Sequence, residues 1–190
     1  MTMFSDMEII LASASPRRHK ILSELGLTFR VIVPDVEEVH WHHDPCGMVM
    51  ENARRKYTKV AANHPGALVI AADTIVVFGS RSIGKPSSME DARAMLRQFS
   101  GNTQIVYTGT AIGISGNEIQ LKLTESQVQF RKFDDNLIDR YFTLINPMDR
   151  AGAYDIDRHS ELIISEYRGS RTNIMGLPEE VIIDFLKHKL

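Results

Sequence analysis

A chain of 190 residues, 43% hydrophobic and 24% charged, can bury one good core, or two small lobes that share one. Its formal net charge of −2 exerts no global pull toward DNA, RNA or an acidic membrane surface, so any anion must be held by local placement of Arg and Lys. A single cysteine, Cys46, excludes an intramolecular disulfide and a four-cysteine zinc site.

The N-terminus, MTMFSDMEIILASASPRR, has acidic residues where a secretory signal has a basic start. Its apolar run is shorter than a signal core or a membrane span, so a reducing cytoplasm is the simplest home. Residues 1–7 read as a short disordered extension. MEIILAS (7–13) reads as a buried strand, followed by a helix that Ser15 caps and Pro16 opens, with Ile21, Leu22 and Leu25 on its apolar face. TFRVIV (28–33) alternates like a half-buried strand ended by Pro34. A second helix spans 44–66, capped by Asp44, with Val49, Ala53, Tyr57 and Val60 or Ala61 inward. ALVIAADTIVVFGS (67–80) gives the strongest strand signal, and residues 87–101 form a helix capped by Ser88. Two strands joined by a Ser-Gly-Asn turn at 115–117 follow, then a helix at 134–145, a last strand in SELIISEYRGS and a last helix in LPEEVIIDFLKHKL. Early strand–helix alternation followed by a hairpin predicts α/β architecture with a mixed sheet and flanking helices.

Four features bear on chemistry. In SASPRR, the hydroxyls of Ser13 and Ser15 and the guanidiniums of Arg17 and Arg18 surround a helix start, whose free N–H groups and partial positive charge attract phosphate; the plain alternative is a capped helix with solvated arginines. Asp73 stands inside a run of Val, Ile and Ala, where a carboxylate is costly unless paired or metal-bound, and Thr74 beside it can hold a phosphate or a ribose; the plain alternative is an Asp73 at a strand end that only caps a turn. Lys56 lies on a helix face and Lys85 in a Gly-Lys-Pro turn, and each alone reads equally as a surface lysine. Glu37-Glu38 are either plain surface acids or add a carboxylate to a site with Asp73, an inventory that suits Mg²⁺, which takes a few carboxylates plus phosphate oxygens and water. The segments PMDRAGAYDID (147–157) and RGSRTNIMGLP (168–178) both read as tight loops. HWHHD (40–44) reads as a solvated loop rather than a metal site, for want of a matching ligand pair elsewhere.

In order, LASASPRRHKILSELGL, VEE, ARRKY, AADTIVV, IGKP, FSGNTQIVYTG, AGAYDI and GSRTNIMGLP resemble the motifs of the Maf family of septum-formation-inhibitor-like nucleotide pyrophosphatases. The resemblance covers about residues 9–180. It implies two lobes around a central cleft and hydrolysis of a nucleoside triphosphate to the monophosphate and pyrophosphate, in a housecleaning role on dTTP or UTP or on modified nucleotides. It further implies a divalent cation, Mg²⁺ or Mn²⁺, held by Glu38 and Asp73. By position, Ser13, Ser15, Arg17, Arg18, Thr74, Arg150 and Asp157 contact substrate, while Asp73, Lys56, Lys85 and Arg17 carry the catalysis. Three positions depart from the family pattern: Arg150 replaces a lysine, Asp157 a glutamine and Gln104 a histidine. Other expectations stay open: a weakly active or inactive nucleotide-binding regulator of cell division, and a pyrophosphatase of noncanonical purine triphosphates. A nucleoside triphosphate is the expected partner, with no nucleic acid or membrane, and a homodimer is compatible with the chain.

Overall fold

The computed structural model describes residues 7–41 and 43–189. Strand β1 (Ile9–Leu11) leads through the Ser15 cap into α1 (Pro16–Glu24), and β2 (Arg30–Val31) returns parallel to β1. Helix α2 (Pro45–Ala61) precedes the long strand β3 (Leu68–Phe78), which turns into β4 (Arg81–Ile83). Helix α3 (Met89–Phe99) leads to the hairpin of β5 (Thr103–Ile114) and β6 (Gln120–Phe130). Helix α4 (Asp135–Phe142), two 3-10 turns at Ala151–Ala153 and Ser160–Leu162, β7 (Ile164–Arg168), α5 (Arg171–Met175) and α6 (Glu179–Lys189) complete the chain. Of the expected extension at residues 1–7, residues 1–6 lie outside the described residues, whereas Met7 packs partly buried against the core.

The seven strands form one mixed sheet in the order β2-β1-β3-β5-β6-β7, with β4 also paired to β3. Alternation along β3 separates two cores. Leu68, Ile70, Ala72 and Val76 face the larger one, against α1, α3, α4 and α6, whereas Val69 and Ala71 face a smaller one under α2. Side-chain caps set the helix starts: Ser15, Asp44, Ser88, Asp134 and Ser170 each accept from a backbone N–H in the first turn, a contact worth about 1 kcal/mol apiece.

Two elements escaped the sequence reading. Strand β4 is three residues long, too short for a periodic signal, and the expected loop at 168–178 instead holds the five-residue helix α5. No helix among the described residues is long and apolar enough to cross a membrane.

Candidate active site

A break in strand pairing creates the cleft. Strand β1 stops at Leu11, opposite Ile70, and β4 first pairs at Val76, opposite Ile83. Strand β5 occupies the other edge of β3 from Leu68 to Val77, so β1 and β4 share one edge and leave residues 71–75 without a strand partner there among the described residues. Asp73 and Thr74 sit in this opening, with Ser13–Arg18 entering from the end of β1 and Lys85 from the end of β4. The 149–157 segment and the end of α5 close the sides of a cleft of about 1010 Å³.

Asp73 lies in mid-strand, not at a strand end. One carboxylate oxygen accepts from Lys56 Nζ at 2.7 Å and the other from Asn52 Nδ2 at 3.0 Å. The same Lys56 Nζ lies 2.6 Å from Glu38 Oε1, so one buried ammonium bridges two carboxylates. Asn52 also fastens the segment bearing Glu38: its Oδ1 accepts from Val39 N–H at 2.8 Å, and its Nδ2 donates to Val39 C=O at 3.2 Å. All of this requires α2 to lie close to the sheet. Gly109, the cross-strand partner of Asp73, permits it, because a Cβ there would stand 2.4 Å from the Val49 carbonyl oxygen.

The helix start is organised as a cradle. Ser13 Oγ accepts from Ser15 N–H and from an Arg18 terminal nitrogen, both at 3.1 Å, which leaves its own hydrogen free to donate elsewhere. Arg18 also donates to Gly176 C=O at 2.8 Å and to Thr74 Oγ1 at 3.1 Å. The Thr74 hydroxyl in turn meets Thr108 Oγ1 at 2.9 Å. Arg18 and Thr74 therefore brace the cradle wall, tying α1 and α5 to β3. Gly176 suits this junction: its φ of 111° closes α5, and a Cβ would meet Thr74 Oγ1 at 3.4 Å.

Arg17 is different. Its Nε is buried without a hydrogen-bond partner among the described residues, and so is that of Arg150. Burial first, then the neighbouring Arg150 guanidinium, lowers the Arg17 pKa, against the opposing pull of Asp155 and Asp149. Arg150 is anchored by one terminal nitrogen to the buried Asp155 at 2.8 Å. Arg150 Nε lies 3.8 Å from Asp149 Oδ1, beyond hydrogen-bond reach, so both guanidiniums line the cleft with a donor left for a polyanion. Burial pushes the Tyr154 hydroxyl well above the ordinary tyrosine value, which keeps this lining residue neutral. The N–H of Gly152 donates to Gly84 C=O at 3.0 Å, joining this segment to the turn that carries the exposed Lys85.

The sequence-predicted residues thus meet in one place: Ser13, Ser15, Arg17, Arg18, Glu38, Lys56, Asp73, Thr74, Lys85, Arg150 and Asp157 all line the cleft. His40 and His43 are exposed outside it, and His42 lies outside the described residues.

A family model for Maf-like proteins matches residues 8–189. The chain belongs to the Maf family. Among curated Maf relatives, the dTTP/UTP pyrophosphatase of Pelotomaculum thermopropionicum is 41% identical over 182 residues, covering 95% of each chain. That of Pyrococcus horikoshii is 38% identical over 181 residues, covering 95% of this chain and 96% of its own. Among solved structures, a nucleoside-triphosphatase / dITP/XTP pyrophosphatase from Mycobacterium abscessus aligns over 96% of this chain at 16% identity with a TM-score of 0.43, too loosely to bear on substrate.

Several members of this Maf site escaped the sequence reading. Asn52 is one helical turn before Lys56, a spacing that marks the shared face but not the contact with Asp73. Lys20 and Arg171 bind Asp157, and no local pattern links three positions so far apart. The donor set also fits a divalent cation. No cluster of three or more metal-ligating side chains occurs among the described residues, but Mg²⁺ is commonly held by one or two carboxylates with phosphate oxygens and water, and Glu38 and Asp73 converge on one cationic atom.

Proposed function

We propose that this Maf protein hydrolyses nucleoside triphosphates, dTTP and UTP foremost, between the α and β phosphorus atoms, releasing the monophosphate and pyrophosphate in a housecleaning role. The observation that carries the reading is a single cleft with two unlike ends. At one end the unspent guanidinium donors of Arg17 and Arg150 meet the start of α1, and at the other Lys56 bridges Glu38 and Asp73. The relatives' names support the pyrimidine preference.

In this reading Arg17, Arg150, Lys85 and the Ser13 hydroxyl hold the β and γ phosphates and stabilise the charge that builds on the departing pyrophosphate. Arg18, braced by Gly176 and Thr74, keeps Ser13 and the helix start in place. Asp73 orients a water against the α phosphorus and takes its proton as the new P–O bond forms and the bridging P–O bond breaks. Lys56 neutralises the Asp73 and Glu38 carboxylates before substrate arrives and then faces the α phosphate. A divalent cation held by Glu38 and Asp73 supplies Lewis-acid polarisation of the phosphates and lowers the pKa of bound water. Cys46 as the only thiol suits a reducing cytoplasm.

The test is a panel of natural and modified nucleoside triphosphates with Mg²⁺ or Mn²⁺, read for pyrophosphate against free phosphate. Pyrophosphate from dTTP and UTP supports the proposal, and chelation with EDTA should abolish it. Pyrophosphate only from modified purine triphosphates reassigns the substrate. Tight nucleotide binding with no product makes the protein a nucleotide-binding regulator instead.

A further inference from the structure

The loop that brings Arg150 to Arg17 ends in an ion-pair cluster that no phosphate-binding role requires. Asp157 is mostly buried, and each of its oxygens lies within ion-pair distance of a cation, though only Oδ2 makes a hydrogen bond. Oδ1 lies 2.5 Å from a terminal nitrogen of Arg171 at the start of α5, and Oδ2 lies 3.1 Å from Lys20 Nζ on α1. Its backbone N–H donates at 2.8 Å to Asp155 Oδ1, and Asp155 Oδ2 holds Arg150. The chain of contacts therefore runs from two helices, through Asp157 and Asp155, to a guanidinium inside the cleft.

This connection has a definite physical task. Arg17 and Arg150 are like charges in a partly desolvated site and repel each other, while Asp155 and Asp149 of the same 149–157 segment attract Arg17. Asp155, paired with Arg150, offsets part of that repulsion before a polyphosphate arrives, and Asp155 is in turn held through Asp157. Lys20 is on the same helix as Arg17, so its bond to Asp157 ties the segment to the helix that carries Arg17. Arg171 adds a second tether from α5, the helix already joined to α1 through Arg18 and Gly176.

Resting on the reading of this cleft as a triphosphate site, we infer that Lys20, Asp157 and Arg171 form an electrostatic strap of positioning residues that holds Arg150 in the cleft wall facing the start of α1 and so preorganises the polyphosphate subsite. The strap acts on binding, not on the bond-breaking step. Asp157 then serves the substrate indirectly, with its charge neutralised by two cations rather than offered to the base.

The experiment uses the full chain and the variants Lys20→Met, Asp157→Asn, Arg171→Met and Lys20→Met/Asp157→Asn, with Lys20→Arg as the conservative control. Affinity for inorganic tripolyphosphate is measured by calorimetry, and KM and kcat are measured on UTP. Each single neutralisation is expected to weaken tripolyphosphate binding and raise KM by about fivefold, with kcat within about twofold of wild type and Tm nearly unchanged, since the cations are half-exposed. The double variant should cost no more than Asp157→Asn alone, and Lys20→Arg should bind like wild type. Unchanged affinity in the single variants overturns the inference, as does a fall in Tm without a change in KM. Fully additive losses from Lys20→Met and Asp157→Asn also overturn it, because they would mean separate contacts with the ligand. If wild type binds tripolyphosphate but releases no pyrophosphate from any nucleotide, the pyrophosphatase reading falls, while the strap is still judged by the calorimetry.

Discussion

At the scale of single residues, Asp73 and Asn52 separate chemistry from scaffolding. Asp73→Asn keeps the volume and one acceptor for Lys56 but removes the proton acceptor. Pyrophosphate release should fall about 100-fold or more, with Tm within a few degrees of wild type. A collapse of Tm in that variant would assign Asp73 to structure instead. Asn52→Ala should act on both properties. It leaves the Val39 amide and carbonyl without their side-chain partner, costing about 2 kcal/mol, and frees the segment that presents Glu38. Its kcat should drop about tenfold, seen when steady-state kinetics and urea denaturation are run on the same sample. The two residues were not equally legible in the sequence. A carboxylate within a strand of Val, Ile and Ala announces itself, whereas an asparagine on a polar-rich helix carries no local sign that its amide completes a buried pair.

At the scale of elements, the packing of α2 on the sheet couples stability to catalysis. Gly109→Ala introduces a Cβ at 2.4 Å from a backbone oxygen, and neither β5 nor α2 offers a flexible side-chain end that can yield. The helix must lift, at about 2 kcal/mol or more, and Lys56 and Asn52 rise with it. Urea denaturation and pyrophosphate release should therefore fail together in this variant, although Gly109 has no functional group. The same helix has an acid-sensitive surface. Hydrogen bonds from Arg54 and then Arg55 hold the Glu51 carboxyl down at about 2, from an ordinary 4.5. A depressed carboxyl stabilises the fold above its unfolded pKa, and that contribution fades as pH falls through the folded value. Thermal melts should place Glu51→Gln below wild type above about pH 5, with the gap closing toward pH 2. Helix starts were readable because Ser15, Asp44 and Ser88 are caps with a recognisable pattern downstream. Strand β4 and helix α5 were not: the Arg-Ser-Ile of β4 lacks the apolar run that marks the equally short β1, and five residues are too few for helical periodicity to show in α5.

For the whole molecule, the ordered motifs located the site well before its walls could be drawn, because each motif is a local string while the cleft is a property of pairing. That Ser13, Asp73 and Lys85 share one opening follows from where β1 stops and β4 begins along β3, and strand termini are what composition specifies least. The ion pairs of Asp157 were equally hidden, being contacts across 137 residues of chain in the case of Lys20. The bare edge of β3 has one more consequence. Extended backbone presents N–H and C=O groups alternately to its two sides, so a strand lacking a neighbour over residues 71–75 offers main-chain donors and acceptors to whatever fills the gap. Peptide groups are carried by every residue whatever its side chain, so side-chain mutagenesis cannot delete them one at a time. A residual grip on ligand should therefore outlast the loss of any single named side chain, written into the path of the polypeptide itself.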